Sequence, residues 1–160
     1  MWLGLFDNPY FFSFNGTIPT SDWPSVKSPS HIHDGIKMTE YENEPFVVGD
    51  YNHTEVEFLH MSHEKWFTAS PYQTSISKPR RIFGYSAVSR PGKVFIIGGC
   101  RSLITDDEED DWSEISIFEN DEWRTHGKLK YGRINFLTIQ YGTDVMIIGG
   151  TLKNHQSLVL

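Results

Sequence analysis

Cysteine is nearly missing from this chain: Cys100 is the only one in 160 residues. That excludes an internal disulfide and a cysteine-rich zinc site. No apolar run approaches the roughly 18 residues needed for a membrane-crossing helix. Basic residues number 14 against 21 acidic ones, a net charge of -7, so the electrostatic footprint of a nucleic-acid binder is absent. No stretch carries convincing helical periodicity. The opening residues, Met1 to Pro9, lack a basic segment followed by a long apolar run, and no signal peptide is expected. Nucleophile elbows, phosphate loops and catalytic metal patterns are also missing; Gly4, Gly16 and Gly35 lack the spacing of a nucleotide cradle. The expectation is a protein that is not an enzyme, with no cofactor and no bound metal.

What is present favours strands. The sequence is 38% apolar, 22% charged and 14% aromatic, enough to fill a core, and its β-branched and aromatic residues suit pleated sheets. The organising pattern is Val94-Phe95-Ile96-Ile97-Gly98-Gly99, which recurs as Val145-Met146-Ile147-Ile148-Gly149-Gly150. A fainter copy is Phe46-Val47-Val48-Gly49-Asp50, and the apolar triplets lie 49 and then 51 residues apart. A period of about 50 marks an array of structural units, each too small to bury its own faces.

Four units follow in order. Residues 1–30 read as the end of a unit, with Tyr10 to Phe14 as a strand, a hairpin signal at Asn15-Gly16 and Trp23 on the return. Residues 31–79 give four strands: Ile36 to Thr39, a turn over Glu42 to Pro45, then Phe46 to Val48, Glu55 to Leu59 and one starting at Trp66. Residues 80–130 repeat the order, with one strand from Arg81 to Val88, Val94 to Ile97, Glu114 to Phe118 and Trp123 to Thr125. Residues 131–160 begin a further unit through Ile134 to Ile139 and Val145 to Ile148, with Ser157 to Leu160 as its third strand. An unbroken apolar run suits a strand buried on both faces. Trp23, Trp66 and Trp123 each follow a turn late in their unit, where a large ring can fill the wedge between sheets.

Apolar triplet, paired glycine, strand, Trp and an Arg-bearing lead into the next unit together resemble the kelch repeat, best between Arg80 and Gly150. The resemblance implies an all-β fold: a partial, open kelch-type β-propeller of four-stranded antiparallel blades. The pattern departs from the family at Asp50, which replaces a second glycine, and at Cys100 and Thr151, where an aromatic is frequent. The strand count gives about three blades, whereas propellers close with typically 4 to 8. Either the chain is a piece of a longer protein, which is the favoured expectation, or a second copy completes the ring.

The resemblance also implies a binding face. Arg81 and Arg133 precede corresponding strands, on the rim where kelch arginines contact acidic peptides, and guanidinium forks suit carboxylates. The plainer alternative is a local pair with a loop carboxylate or a blade carbonyl. The acidic run Asp106 to Asp111 could dock a basic partner, although like charges in a block favour a solvated loop. His31 with His33 and His60 with His63 have ligand-like spacing but no visible third donor, so they read as surface histidines. Cys100 reads as a small half-buried residue rather than a reactive thiol. The expected function is a protein-binding module that presents rim loops to a protein or peptide; the alternative is a carbohydrate-binding or sugar-active propeller. The cytoplasm is the favoured compartment. Two sequons, Asn15-Gly16-Thr17 and Asn52-His53-Thr54, keep secretion open.

Overall fold

The computed structural model describes residues 2–4, 11–13, 25–26, 37–49, 55–60, 62–63, 65–72, 82–100 and 112–153, with side chains from residue 37 onward. All regular structure among these residues is strand, and no helix among them is long and apolar enough to cross a membrane. The first sheet holds β1 (Trp2–Gly4), β2 (Phe11–Ser13) and β3 (Ser25–Val26) in that order. The second holds β4 (Lys37–Tyr41), β5 (Glu44–Val48), β6 (Val56–His60) and β7 (Lys65–Ala69). The third holds β8 (Ser86–Arg90), β9 (Lys93–Ile97), β10 (Glu114–Glu119) and β11 (Glu122–Lys128). After them β12 (Arg133–Ile134) pairs with β15 (Thr151–Leu152), and β13 (Leu137–Tyr141) with β14 (Asp144–Ile148). Every pairing is antiparallel between sequence neighbours except β12 with β15, which brackets the last hairpin. We refer to β12 to β15 together as the fourth unit.

Several local expectations are refined. The first unit has three strands, β1 having no strong alternation to announce it. The turn between β4 and β5 is confined to Glu42 and Asn43, both at positive φ, and Pro45 lies inside β5 opposite Glu40. The single strands expected over Arg81 to Val88 and Ile134 to Ile139 are each broken. Gly84 (φ +59°) and Asn135 (φ +56°) sit in the left-handed region, where a ladder cannot continue. Upstream of Gly84 only an isolated bridge survives, Phe83 with Cys100. Trp23 and the strand expected at Ser157 to Leu160 lie outside the described residues.

Burial explains how the sheets meet. Phe46, Val47 and Val48 are all fully buried, so β5 is covered on both faces. Phe46, Val48, Val56 and Ala69 of the second sheet pack with Val94, Ile96 and Phe118 of the third, together with Tyr72, Ile82 and Tyr85. Val47, Leu59 and Trp66 form a second cluster on the other face, with Met38 against it. An aromatic seam runs through the junction of the second and third sheets: Tyr41 meets Phe118 edge-on at 5.2 Å, Phe118 meets Trp123 at 5.1 Å, and Trp123 meets Tyr72 edge-on at 4.8 Å. Burying each such ring stabilises the junction by roughly 1.5–3 kcal/mol, with somewhat more from edge geometry. The first strands of successive units also lie side by side, β4 against β8 and β8 against β13.

One tyrosine ties two sheets together. The Tyr85 hydroxyl accepts from the Lys37 amide at 3.0 Å and donates to the Val48 carbonyl. Both partners belong to the preceding sheet, and the ring is buried (1% exposed). The residue in the same register of the fourth unit is Phe136, since Ser86 pairs with Ile97 as Leu137 pairs with Ile148. Phe136 lies against the Gly98 Cα, so close that a Cβ there would stand 2.9 Å from its ring. The same added Cβ would stand 2.6 Å from the Arg133 carbonyl. Gly98, at φ +61°, therefore serves both the bend out of β9 and the approach of the next unit.

Candidate functional site

The connections are sorted by length. At one end of the inner hairpins the chain turns in two residues, at 42–43, 91–92 and 142–143. From the opposite end leave the connections 49–55 and 98–113, between second and third strands, and 70–85 and 129–132, between units. The starts of the first strands meet at this second end. Lys37 N–H reaches Tyr85, Ser86 Oγ shares a hydrogen bond with Thr138 Oγ1 at 2.7 Å, and Gly99 N–H donates to Arg133 O at 3.0 Å. A rigid platform with its longer connections gathered at one end is where function is expected to sit.

Arg133 stands at that end. Its Nη1 donates to the Gly149 carbonyl at 3.0 Å, the carbonyl pairing weighed as the plain alternative, and among the described residues this contact leaves most of the guanidinium's five donors available. Arg81 lies outside the described residues. The ladder register aligns Arg133 with Ile82 rather than with the residue before it, so the two arginines are not at corresponding positions. The one-residue offset arises because the inserted left-handed residues, Gly84 and Asn135, fix the alignment of the lead-in segments, and the matching Arg-Ile dipeptides do not.

Two acidic side chains accompany Arg133 at this end, and sequence reasoning had not singled them out. Glu114, buried at the start of β10, accepts from Ser116 Oγ at 3.0 Å and from Thr125 Oγ1 at 3.5 Å. Glu55 occupies the corresponding place before β6, and its Oε2 is buried with no hydrogen-bond partner among the described residues. Ser116 in turn contacts the Tyr72 hydroxyl at 3.4 Å, so the Glu114 carboxylate belongs to a polar network inside the third sheet. The signal for this pair is its register: each glutamate falls three residues before the third-strand position that opposes the central residue of the buried strand.

The remaining candidates are local. Asp106 to Asp111, His31 and His33 lie outside the described residues. His60 and His63 stack at 4.4 Å with rings inclined by 13°, and His60 Nδ1 lies 3.3 Å from Glu44 and 3.0 Å from Ser62 Oγ. No group of three or more His, Cys, Asp or Glu side chains converges as a metal site among the described residues. Cys100 is fully buried rather than half-buried, and its amide and carbonyl both bond Phe83. Between the first strands of the second and third sheets lies a cleft of about 220 Å³ lined by Met38, Thr39, Glu40 and Ser89. It presents a hydroxyl pair and one carboxylate, with neither an aromatic ring nor a histidine or arginine in its lining.

Comparison with known proteins adds a fold. No family model and no curated protein matches the chain. Among solved structures it is similar to one titled "Structure of YjhT", with a TM-score of 0.67 and 18% sequence identity. The match covers 91% of this chain and 46% of that one, so the chain spans about half the length of the structure it resembles. At that identity the likeness is one of fold alone.

Proposed function

We propose that the chain is an open segment of a kelch-type β-propeller whose blades hold a set of rim loops for a protein or peptide partner, without enzymatic activity. The observation that carries this reading is the sorting of connections: tight turns at one end, and longer connections around Arg133 at the other. Face-to-face packing of consecutive sheets and side-by-side first strands are what a propeller's fan would require, and the fold likeness supports it. An acidic peptide is the ligand chemistry that suits an exposed guanidinium anchored at one nitrogen. The second reading is a carbohydrate-binding or sugar-active propeller, which converging arginine, histidine, glutamine and aromatic groups at the central mouth would favour.

The test is a side-by-side screen of the chain against an acidic peptide library and a glycan array. Selective peptide binding, weakened at least about tenfold by Arg133→Ala, a loss of one charge-assisted contact, is expected. Glycan binding without peptide binding, or peptide binding indifferent to Arg133→Ala and Arg81→Ala together, overturns the rim assignment.

A further inference from the structure

One short connection stands apart in both charge and rigidity. From Trp123 to Thr143 the chain has no acidic residue and four basic ones, Arg124, Lys128, Lys130 and Arg133, although its net charge is -7. Two of these, Lys130 and Arg133, bracket Tyr131 where the 129–132 connection leads into the fourth unit. Tyr131 is 55% exposed, at the end where the longer connections gather. Lys130 Nζ lies 5.3 Å from the centroid of its ring, a cation over one face. The ion pairs among the described residues, Glu44 with His60 and Glu119 with Lys93 and Arg124, involve neither Lys130 nor Arg133.

The backbone of this connection is held along its length. Leu129 N–H donates to Ser113 O at 2.7 Å, Arg133 N–H to Trp112 O at 3.0 Å, and Gly132 O accepts from Lys153 N–H at 3.0 Å. Gly132 lies so close to Trp112 that an added Cβ would stand 2.9 Å from both the carbonyl carbon and the Cβ of that residue. Arg133 is fixed further by Nη1 on the Gly149 carbonyl. An ammonium, an aromatic ring and a guanidinium are therefore presented on backbone with little conformational entropy left to lose when a partner binds. Tyrosine and arginine are the residues on which interface energy concentrates, and a tyrosine ring is ordered at the cost of two torsions.

We infer that Lys130, Tyr131 and Arg133 are the anchor of the rim surface, and that its partner is an acidic peptide segment with an apolar side chain set between carboxylates. The carboxylates pair with Lys130 and Arg133, and the apolar group lies on the Tyr131 ring. This rests on the peptide-binding reading above and deepens it: charge fixes the sign of the ligand, and the exposed ring fixes what must stand beside the charge. A nucleic-acid strand suits the surface less well, since every nucleotide brings a phosphate that the net charge of -7 opposes.

The experiment is isothermal titration calorimetry of the 160-residue chain with an Asp/Glu-rich peptide carrying a central leucine, the same peptide with glycine in that place, and a single-stranded oligothymidylate. The leucine peptide is expected to bind at least about tenfold tighter than the glycine peptide. Lys130→Glu and Tyr131→Ala are each expected to weaken it at least about tenfold, and Tyr131→Ala to erase the preference for leucine, because ring and side chain act as one pair. Tyr141→Ala removes a ring that is 69% exposed at the opposite end and is expected to change nothing. Since Tyr131 is exposed, its loss should leave the melting temperature unchanged. Peptide binding that needs Arg133 but ignores Lys130→Glu, Tyr131→Ala and the leucine overturns this inference and leaves the peptide reading standing. Binding of neither peptide overturns both, and tighter binding of the oligothymidylate overturns the choice of a peptide as partner.

Discussion

The indole Nε1–H of Trp123 donates to the Ser70 carbonyl at 2.9 Å, from the third sheet to the residue that follows β7 in the second. The Ser70 amide returns a hydrogen bond to Asp121 Oδ1 at 3.1 Å, two residues before the indole, so one hairpin of the third sheet grips one residue of the second from both sides. Replacing Trp123 by Phe keeps most of the ring contact with Tyr72 and Phe118 and removes the donor; a loss of about 1–2 kcal/mol is expected. Trp123→Ala removes the ring too, with about 3–5 kcal/mol lost. Urea titrations followed by circular dichroism check both values; an unchanged Trp123→Phe variant would contradict the hydrogen bond's role, and equal losses for the two variants would contradict the ring's.

Tyr85→Phe isolates a different junction element. The ring stays and the bridge from Lys37 N–H to Val48 O goes, leaving two backbone groups of the second sheet short of a partner; about 1–3 kcal/mol of destabilisation is expected. The reciprocal change, Phe136→Tyr, puts the hydroxyl at the same register beside Ile97 and Gly98. Hydrogen exchange at the Lys37 amide should accelerate in Tyr85→Phe more than exchange in β10.

Gly98 and Gly149 separate strain from contact. Both occupy positive φ, which costs a non-glycine residue about 1 kcal/mol or more. Gly98→Ala adds an overlap with Arg133 O at 2.6 Å and is expected to lose more than about 2 kcal/mol. Gly149→Ala meets open space among the described residues and is expected to lose only about 1 kcal/mol. Comparable melting temperatures for the two variants would remove the clearance argument.

Acid stability should depend on Glu119. Hydrogen bonds from Arg124 Nη2 and Lys93 Nζ, each at 3.0 Å, hold its carboxyl below the usual glutamate value of 4.5. The unfolded chain therefore takes up a proton at this site before the folded chain does. The contribution is present above pH 4.5 and is lost as pH falls through the depressed folded value. Tyr41 behaves oppositely at high pH: burial, aided by the neighbouring Glu42, raises its phenol above 10.0, so its contribution is present below pH 10 and fades as pH rises through the folded value. Glu119→Gln is expected to flatten the acid limb of the stability profile and Tyr41→Phe the alkaline limb; unchanged limbs would refute the pairing and the burial respectively.

Much of the architecture was legible because it is repeated. Phe95-Ile96-Ile97 and Met146-Ile147-Ile148 announce a strand meant for burial on both faces, and the paired glycines mark its exit. What the sequence concealed lies where one residue changes the register. Gly84 and Asn135 break their strands through a backbone conformation that composition does not reveal, and the break moved the partner of Arg133 from Arg81 to Ile82. The tie made by Tyr85 was hidden for a different reason: its two partners are main-chain groups 48 and 37 residues away, and main-chain groups leave no trace in residue identity. The exposure of Met146 and Ile148 is equally unreadable locally, since their sequence is that of a buried strand and only the neighbour decides the outcome.

The unequal connections have a consequence for how this scaffold can vary. Adding a residue at 42–43 or 142–143 would slide one strand past its partner by a single position and turn its apolar set to the wrong face. Lengthening 98–113 leaves every ladder in place, and even doubling such a segment costs only about 0.6 kcal/mol of closure entropy. New surface can thus be grafted onto one end of the molecule almost without penalty, while the two-residue turns at the other end hold their hairpins to a fixed length.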